Sequence, residues 1–213
     1  MTMENVVELP DFVFHSPTTI CISGSTSSGK TYWMKKAISQ RATLFECTPE
    51  KVVYFYGIWQ DIYNEMEGVE FVKGLPSDIE SYSNDKAHSL WIIDDLMSEV
   101  VNNKATEDLF TRGSHHMNVT VVYINQNIFC QGKSSRTIAL NTHYNILFRN
   151  PRDIEQIQRL DRQIGMKGML KEAYLDAVSS PYGYLLLDLS PHNNTDYRLW
   201  SKVFCEEDHI VYI

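Results

Sequence analysis

The sequence has no apolar run near the roughly 20 residues that a helix needs to cross a bilayer, so no membrane span is expected. Its opening stretch, MTMENVVELPDF, has acidic residues where a secretory leader has basic ones, and export is not expected either. Cysteine is scarce. Cys21, Cys47, Cys130 and Cys205 are scattered with no CxxC pair, which reads as reduced thiols in a cytosolic or nuclear protein. Positive charge is also short: 19 Lys and Arg against 27 Asp and Glu leave a net charge of −8. That balance excludes a nucleic-acid binder with a basic surface all round, but not a protein that touches DNA through one small basic patch. Internal repeats and low-complexity tracts are absent.

What is present fits one folded domain with a substantial core: 213 residues, 43% hydrophobic and 12% aromatic. Apolar runs recur at 18–23 (TTICIS), 51–56 (KVVYFY), 89–94 (SLWIID), 119–124 (VTVVYI), 144–149 (YNILFR) and 182–189 (YGYLLLDL). Most are continuous, not alternating, as in strands covered on both faces of a largely parallel sheet. Helical spacing separates several of them. Trp33, Met34, Ala37 and Ile38 share one face, and so do Ile154, Ile157, Leu160 and Ile164, opposite Arg152, Arg159 and Arg162. Pro151 suits the first turn of the second helix. Strands alternating with helices predict a three-layer α/β domain over 17–213, preceded by a loosely ordered lead-in at 1–16. Residues 74–88 read as a polar surface connection, and the tail at 190–213 is ambiguous.

The most specific chemical signal follows the first run. Gly24-Ser25-Thr26-Ser27-Ser28-Gly29-Lys30-Thr31 matches GxxxxGK[ST] at every fixed position. Small residues let successive backbone N–H groups turn inward around a phosphate, and the helix that begins near Lys30 adds the positive end of its dipole. Lys30 would reach the β- and γ-phosphates, the Thr31 hydroxyl would ligate Mg²⁺, and Tyr32 would flank the nucleotide. SLWIIDD puts Asp94 and Asp95 at the carboxyl end of a buried strand, where Asp94 can hold the metal and Asp95 can polarise the attacking water. Glu99 is the alternative base. The next strand runs into Asn125, Gln126 and Asn127, and Gln126 is the candidate γ-phosphate sensor. A polar sensor beyond the acidic pair marks P-loop ATPases with an additional strand between phosphate loop and acidic strand. The guanine reader of small GTPases is missing, because the spacing from Asn193 to Asp196 lacks its lysine and its strand. ATP with Mg²⁺ is therefore the expected ligand.

The motifs and their flanks carry a family likeness. YGIWQDIY, LWIIDDLM, the block LFTRGSHHMNVTVVYINQNIFCQGKSSRTIALNTHYNILFRNPRD, and SPYGYLLLDL resemble the poxvirus-like genome-packaging ATPases of the FtsK–HerA superfamily. The versions in Polinton/Maverick and adintovirus-type elements are the most similar. The likeness covers most of residues 15–190. It implies a P-loop domain of the additional-strand type and an oligomeric, ring-forming ATPase that drives double-stranded DNA into a capsid. It further implies a capsid or portal partner, and residence in the host nucleus, a cytoplasmic virus factory or the virion. An arginine shortly before the sensor strand would act in trans on the neighbouring subunit's nucleotide. Arg112 in LFTRGSHH matches that position, with Arg149 and Arg152 as competitors; a permanently charged fork suits the charge that builds on a transferred phosphoryl group.

Weaker signals leave choices open. His115-His116, even with Cys130, lacks the further ligands of a zinc site and reads as a loop or subunit contact. Lys133 and Arg136 in QGKSSRT would contact DNA backbone phosphates without sequence preference, or else be solvated loop charges. Tyr54 and Tyr56 read as packing in or beside the sheet, and Trp59 and Gln60 have no chemical role assigned. The rival functions are a small P-loop kinase, which would need an arginine-rich lid, and a non-hydrolysing, nucleotide-dependent assembly protein.

Overall fold

The computed structural model describes residues 11–83, 87–100, 104–128, 133–193 and 197–213. Its strands are β1 (Thr19–Ser23), β2 (Lys51–Tyr56), β3 (Val69–Lys73), β4 (Ser89–Asp94), β5 (Val119–Asn125), β6 (Tyr144–Phe148), β7 (Tyr184–Asp188), β8 (Leu199–Ser201) and β9 (Ile210–Tyr212). The helices are α1 (Lys30–Ser39), α2 (Arg41–Leu44), α3 (Met97–Val100), α4 (Lys104–Asp108), α5 (Ser114–His116), α6 (Lys133–Leu140), α7 (Ile154–Ile164) and α8 (Met169–Ala177). A π-helical turn, Leu109–Gly113, joins α4 to α5.

The strands form one sheet in the order β3-β2-β4-β5-β1-β6-β7-β8-β9. From β3 to β6 every pairing is parallel, and β7, β8 and β9 continue the sheet antiparallel. β5 lies between β1 and β4, which is the additional-strand arrangement expected from the order of motifs. The continuous apolar runs have a direct cause. Ile20, Ile22, Val122, Ile124 and Ile146 pack on one face with Trp33, Met34, Ala37 and Ile38 of α1. Cys21, Val53, Trp91, Ile93, Val121 and Tyr123 pack on the other, with Leu109, Phe110 and Ile138. Further along that second face, Leu147, Leu185 and Leu187 meet Ile157 and Leu160 of α7 and Leu170 and Tyr174 of α8. Buried on both sides, the strands have no polar face to present.

Several local expectations need correction. Within the supposed lead-in, residues 11–16 are packed: Phe12 and Phe14 are buried, and Phe14 exchanges backbone hydrogen bonds with Leu44 and Glu46. Residues 1–10 lie outside the described set. The polar connection at 74–88 includes a 3-10 turn, Ile79–Tyr82, that buries Ile79. β3 gave no apolar run because its residues are only partly covered at the sheet edge. β8 and β9 resolve the ambiguous tail into two short strands. Pro151 lies in a 3-10 turn, Pro151–Asp153, that leads into α7, with the Asn150 side chain accepting from the Arg152 N–H as cap.

Candidate active site

The parallel strands all point their carboxyl ends toward one edge, and the loops that leave β1, β2, β4, β5 and β6 meet there. The loop after β1 is built around two glycines. A Cβ on Gly24 would lie 2.5 Å from the Phe148 Cβ and 2.8 Å from the Ser28 Oγ, so the loop can approach the end of β6 only with glycine there. Gly29 caps α1 with φ 109°, a left-handed conformation that favours glycine. The loop is tied to β6, because Ser25 donates to the Arg149 carbonyl from both its N–H (3.3 Å) and its hydroxyl (2.9 Å). The Lys30 ammonium donates to the carbonyls of Gly24 (2.7 Å) and Ser25 (2.9 Å), folded across the loop. Burial pushes its pKa down, while Asp94 and Asp95 oppose that shift.

Asp94 ends β4 and is 5% exposed. Its Oδ2 accepts from two tyrosine hydroxyls, Tyr54 of β2 at 2.7 Å and Tyr63 of a 3-10 turn, Asp61–Glu65, at 3.1 Å. Gln60 Nε2 donates to the Tyr63 hydroxyl at 3.1 Å, which extends the relay to the cleft wall. Burial raises the pKa of Asp94, and the two hydroxyls counter it by stabilising the carboxylate. Burial followed by the charge of Asp94 pushes both tyrosine pKa values up, so both remain donors. Asp95 lies just beyond the strand, exposed, with φ 57°. Groups that orient a metal-binding carboxylate typically contribute 10- to 100-fold to metal affinity or activity. In the Mg²⁺-holding role expected for Asp94 from its place in the sequence, the Tyr54→Phe, Tyr63→Phe double variant would need about 10- to 100-fold more Mg²⁺ for half-maximal nucleotide turnover. Titrating Mg²⁺ in a turnover assay checks this, and an unchanged Mg²⁺ requirement counts against the orienting role.

β5 ends at Asn125, which is 7% exposed. Its Nδ2 donates to the Cys21 Sγ at 3.3 Å, and its Oδ1 has no hydrogen-bond partner among the described residues. Gln126 follows the strand and is exposed. The tip thus offers two amides to the cleft, and the buried one with an open acceptor is Asn125, next to the residue that sequence spacing singled out. Asn150 fixes this tip. Its Nδ2 donates to the Gln126 carbonyl (3.0 Å) and to Asp153 Oδ2 (2.8 Å), while its N–H donates to the Tyr174 hydroxyl (2.9 Å). Arg149 and Asn150 therefore hold the phosphate loop and the β5 tip from adjacent positions on one segment.

A cleft of about 680 Å³ brings together Thr26–Tyr32, Asp94, Asp95 and Gln126. Gly24 and Ser25 belong to the same loop and contact Lys30 from behind. Glu99 is turned to another task, accepting from the Leu75 N–H at 2.8 Å. Arg112 is carried on the π-helical turn, and its side chain lies outside the described residues, as do those of His115, Cys130 and Lys133. Arg149, Arg152 and Arg136 are exposed. Sequence reasoning missed Tyr63, Asn150 and Tyr182, read Tyr54 only as packing, named Asn125 behind Gln126, and left Gln60 without a role. The stretch YGIWQDIY, which begins at the last residue of β2, holds two of this group, Gln60 and Tyr63.

The donor set fits a magnesium nucleotide. A carboxylate and a hydroxyl, Asp94 and Thr31, are hard oxygen donors of the kind Mg²⁺ takes. The glycine cradle is one that a Cβ at Gly24 or Gly29 would fill.

No protein-family model matches the chain, and no curated protein does. Solved structures do. The genome-packaging NTPase B204 of Sulfolobus turreted icosahedral virus 2, in complex with AMPPCP, aligns with a TM-score of 0.57 at 14% identity over 81% of this chain and 93% of that one. Its complex with ATP-gammaS gives 0.55 at 13% identity over 81% and 93%. B204 described as the DNA-packaging ATPase of Sulfolobus turreted icosahedral virus gives 0.56 at 15% identity over 83% and 94%. The shared property is the fold. This chain has the mixed α/β architecture of those P-loop NTPases, with a mostly parallel central sheet flanked by helices.

Proposed function

We propose that the protein is a Mg²⁺-dependent ATPase that works as a ring of identical subunits and drives double-stranded DNA into a viral capsid. One observation carries the enzymatic part. The phosphate loop, Asp94 with Asp95, and the amides of the β5 tip converge on a single cleft across an inserted strand. Structural likeness to a viral genome-packaging NTPase, together with the poxvirus-like motifs, supports the packaging role.

In this reading the loop N–H groups and Lys30 hold the β- and γ-phosphates, with Lys30 exchanging its present carbonyl partners for phosphate oxygens. Mg²⁺ held by Thr31 and Asp94 would supply charge neutralisation to the phosphates. Asp95 orients and accepts a proton from the attacking water, the β5 tip reads the γ-phosphate, and Arg112 completes the site of the next subunit. Basic residues concentrate at the ring's channel, which reconciles a net charge of −8 with a DNA substrate.

The test is ATP turnover measured together with oligomer size. Purified protein is expected to hydrolyse ATP only with Mg²⁺, faster when double-stranded DNA is added, in an assembled state. Added salt suppresses the DNA effect if the contacts are to phosphates. Absence of Mg²⁺-dependent turnover, or unchanged turnover in Lys30→Ala, overturns the enzymatic reading. Turnover that ignores DNA in the assembled state overturns the motor reading.

A further inference from the structure

The stretch SPYG, residues 180–183, has no part in the phosphate chemistry, yet it reaches the cleft. Gly183 N–H bonds back to the Ser180 carbonyl at 3.0 Å, which closes a tight turn. Pro181 stands at its second position, and Tyr182 at its third has φ 59°. That is the pattern of a type II turn, whose third position favours glycine or asparagine because a side chain there is strained. A tyrosine instead occupies it. It gains no burial in return, since Tyr182 is 69% exposed. Its ring lies against the phosphate loop: a Cβ placed on Gly29 would be 3.0 Å from Tyr182 Cδ1. Tyr182 lines the same cleft as Lys30 and Asp95, as does Tyr32, itself 61% exposed on the first turn of α1. Strain held in a residue that stays largely exposed and borders a ligand cleft points to a functional placement.

We propose that Tyr182 is the base-stacking platform of the cleft and selects purine nucleotides. The inference rests on the nucleotide reading above and adds what it lacked, a place for the base. A nucleotide whose phosphates lie in the loop extends its base past Gly29 and the start of α1, where an exposed aromatic face awaits it. Stacking on a π-face tolerates any base but is strongest for the larger purines. The turn Ser180–Gly183, held by Pro181, presents the ring already oriented, so little freedom is lost on binding.

The experiment compares binding of ATP and of inorganic tripolyphosphate by wild type, Tyr182→Asn and Tyr182→Phe. Asparagine accepts the left-handed backbone, so the loop keeps its support while the ring is lost. Tyr182→Asn is expected to weaken ATP binding about tenfold, within the range for losing one base–aromatic stack, and to narrow the preference for ATP over UTP. Its tripolyphosphate affinity stays within about twofold of wild type, and Tyr182→Phe binds ATP like wild type. Unchanged ATP affinity in Tyr182→Asn overturns the proposal. So does an equal loss for ATP and tripolyphosphate, which would mark Tyr182 as a support for the loop. A wild type that binds tripolyphosphate as tightly as ATP removes the base subsite alone. A wild type that binds neither overturns the nucleotide reading as well.

Discussion

Asp95→Asn is expected to lower ATP turnover by roughly 10²–10⁴-fold, the usual worth of a positioned general base, and to leave nucleotide affinity near wild type. The geometry makes this substitution unusually clean. Asp95 has φ 57°, a conformation that asparagine accepts as readily as aspartate, so the exchange removes a charge and a proton acceptor without disturbing the backbone. Gly57 limits the alternatives nearby: a Cβ there would lie 2.8 Å from the Asp95 carbonyl, so the β2 loop is held close behind the acid. Asp94 keeps its two tyrosine donors and the Mg²⁺ role proposed for it. The measurement is steady-state turnover alongside equilibrium binding of a non-hydrolysable ATP analogue. Turnover within threefold of wild type would remove Asp95 from the chemistry. Mixing this variant with Arg112→Ala subunits tests completion in trans. Each alone is expected to be slow, and the mixture is expected to recover part of the activity because some interfaces pair an intact acid with an intact arginine. An assembled Arg112→Ala protein with full turnover would refute the arginine's role.

Trp91→Ala is expected to destabilise the protein by about 3–5 kcal/mol, the range for emptying a buried tryptophan site. Trp91 is fully buried at the middle of β4, a strand paired on both sides, with the Phe55 ring edge-on at 6.0 Å. Its cluster also includes Leu109 and Phe110 of the π-helical turn. A loss of that size is a large part of the roughly 5–15 kcal/mol that holds a domain folded. Trp91→Phe should be far milder. It keeps most of the aromatic volume and deletes an indole N–H that has no hydrogen-bond partner among the described residues, which relieves a desolvation cost. Chemical denaturation of the two variants separates these outcomes. Comparable losses for alanine and phenylalanine would mean that the indole nitrogen, not packing, carries the stability.

Much of the architecture was legible because the physics is local. A continuous apolar run such as SLWIID has only one comfortable place, a strand covered on both faces, and β4 occupies residues 89–94 as read. The face Trp33, Met34, Ala37, Ile38 is buried as its spacing required. β3 escaped notice because an edge strand buries little, and β8 and β9 are three residues each, too short to show a period. Phe12 and Phe14 looked like part of a loose lead-in because burial of isolated aromatics depends on what folds over them.

For the site, the sequence by itself located the glycine-rich loop and the acidic pair, since each lies in consecutive residues or at one strand end. It also placed an amide at the tip of β5, though it ranked Gln126 above Asn125. Only the tertiary structure decided which distant groups serve them. Tyr54 meets Asp94 across 40 positions, Asn150 reaches back 24 to the Gln126 carbonyl, and Tyr182 comes to lie on Gly29. The reason is that a parallel sheet collects the carboxyl ends of strands far apart in sequence at one edge, so the partners around the cleft are set by strand order, which no local pattern encodes.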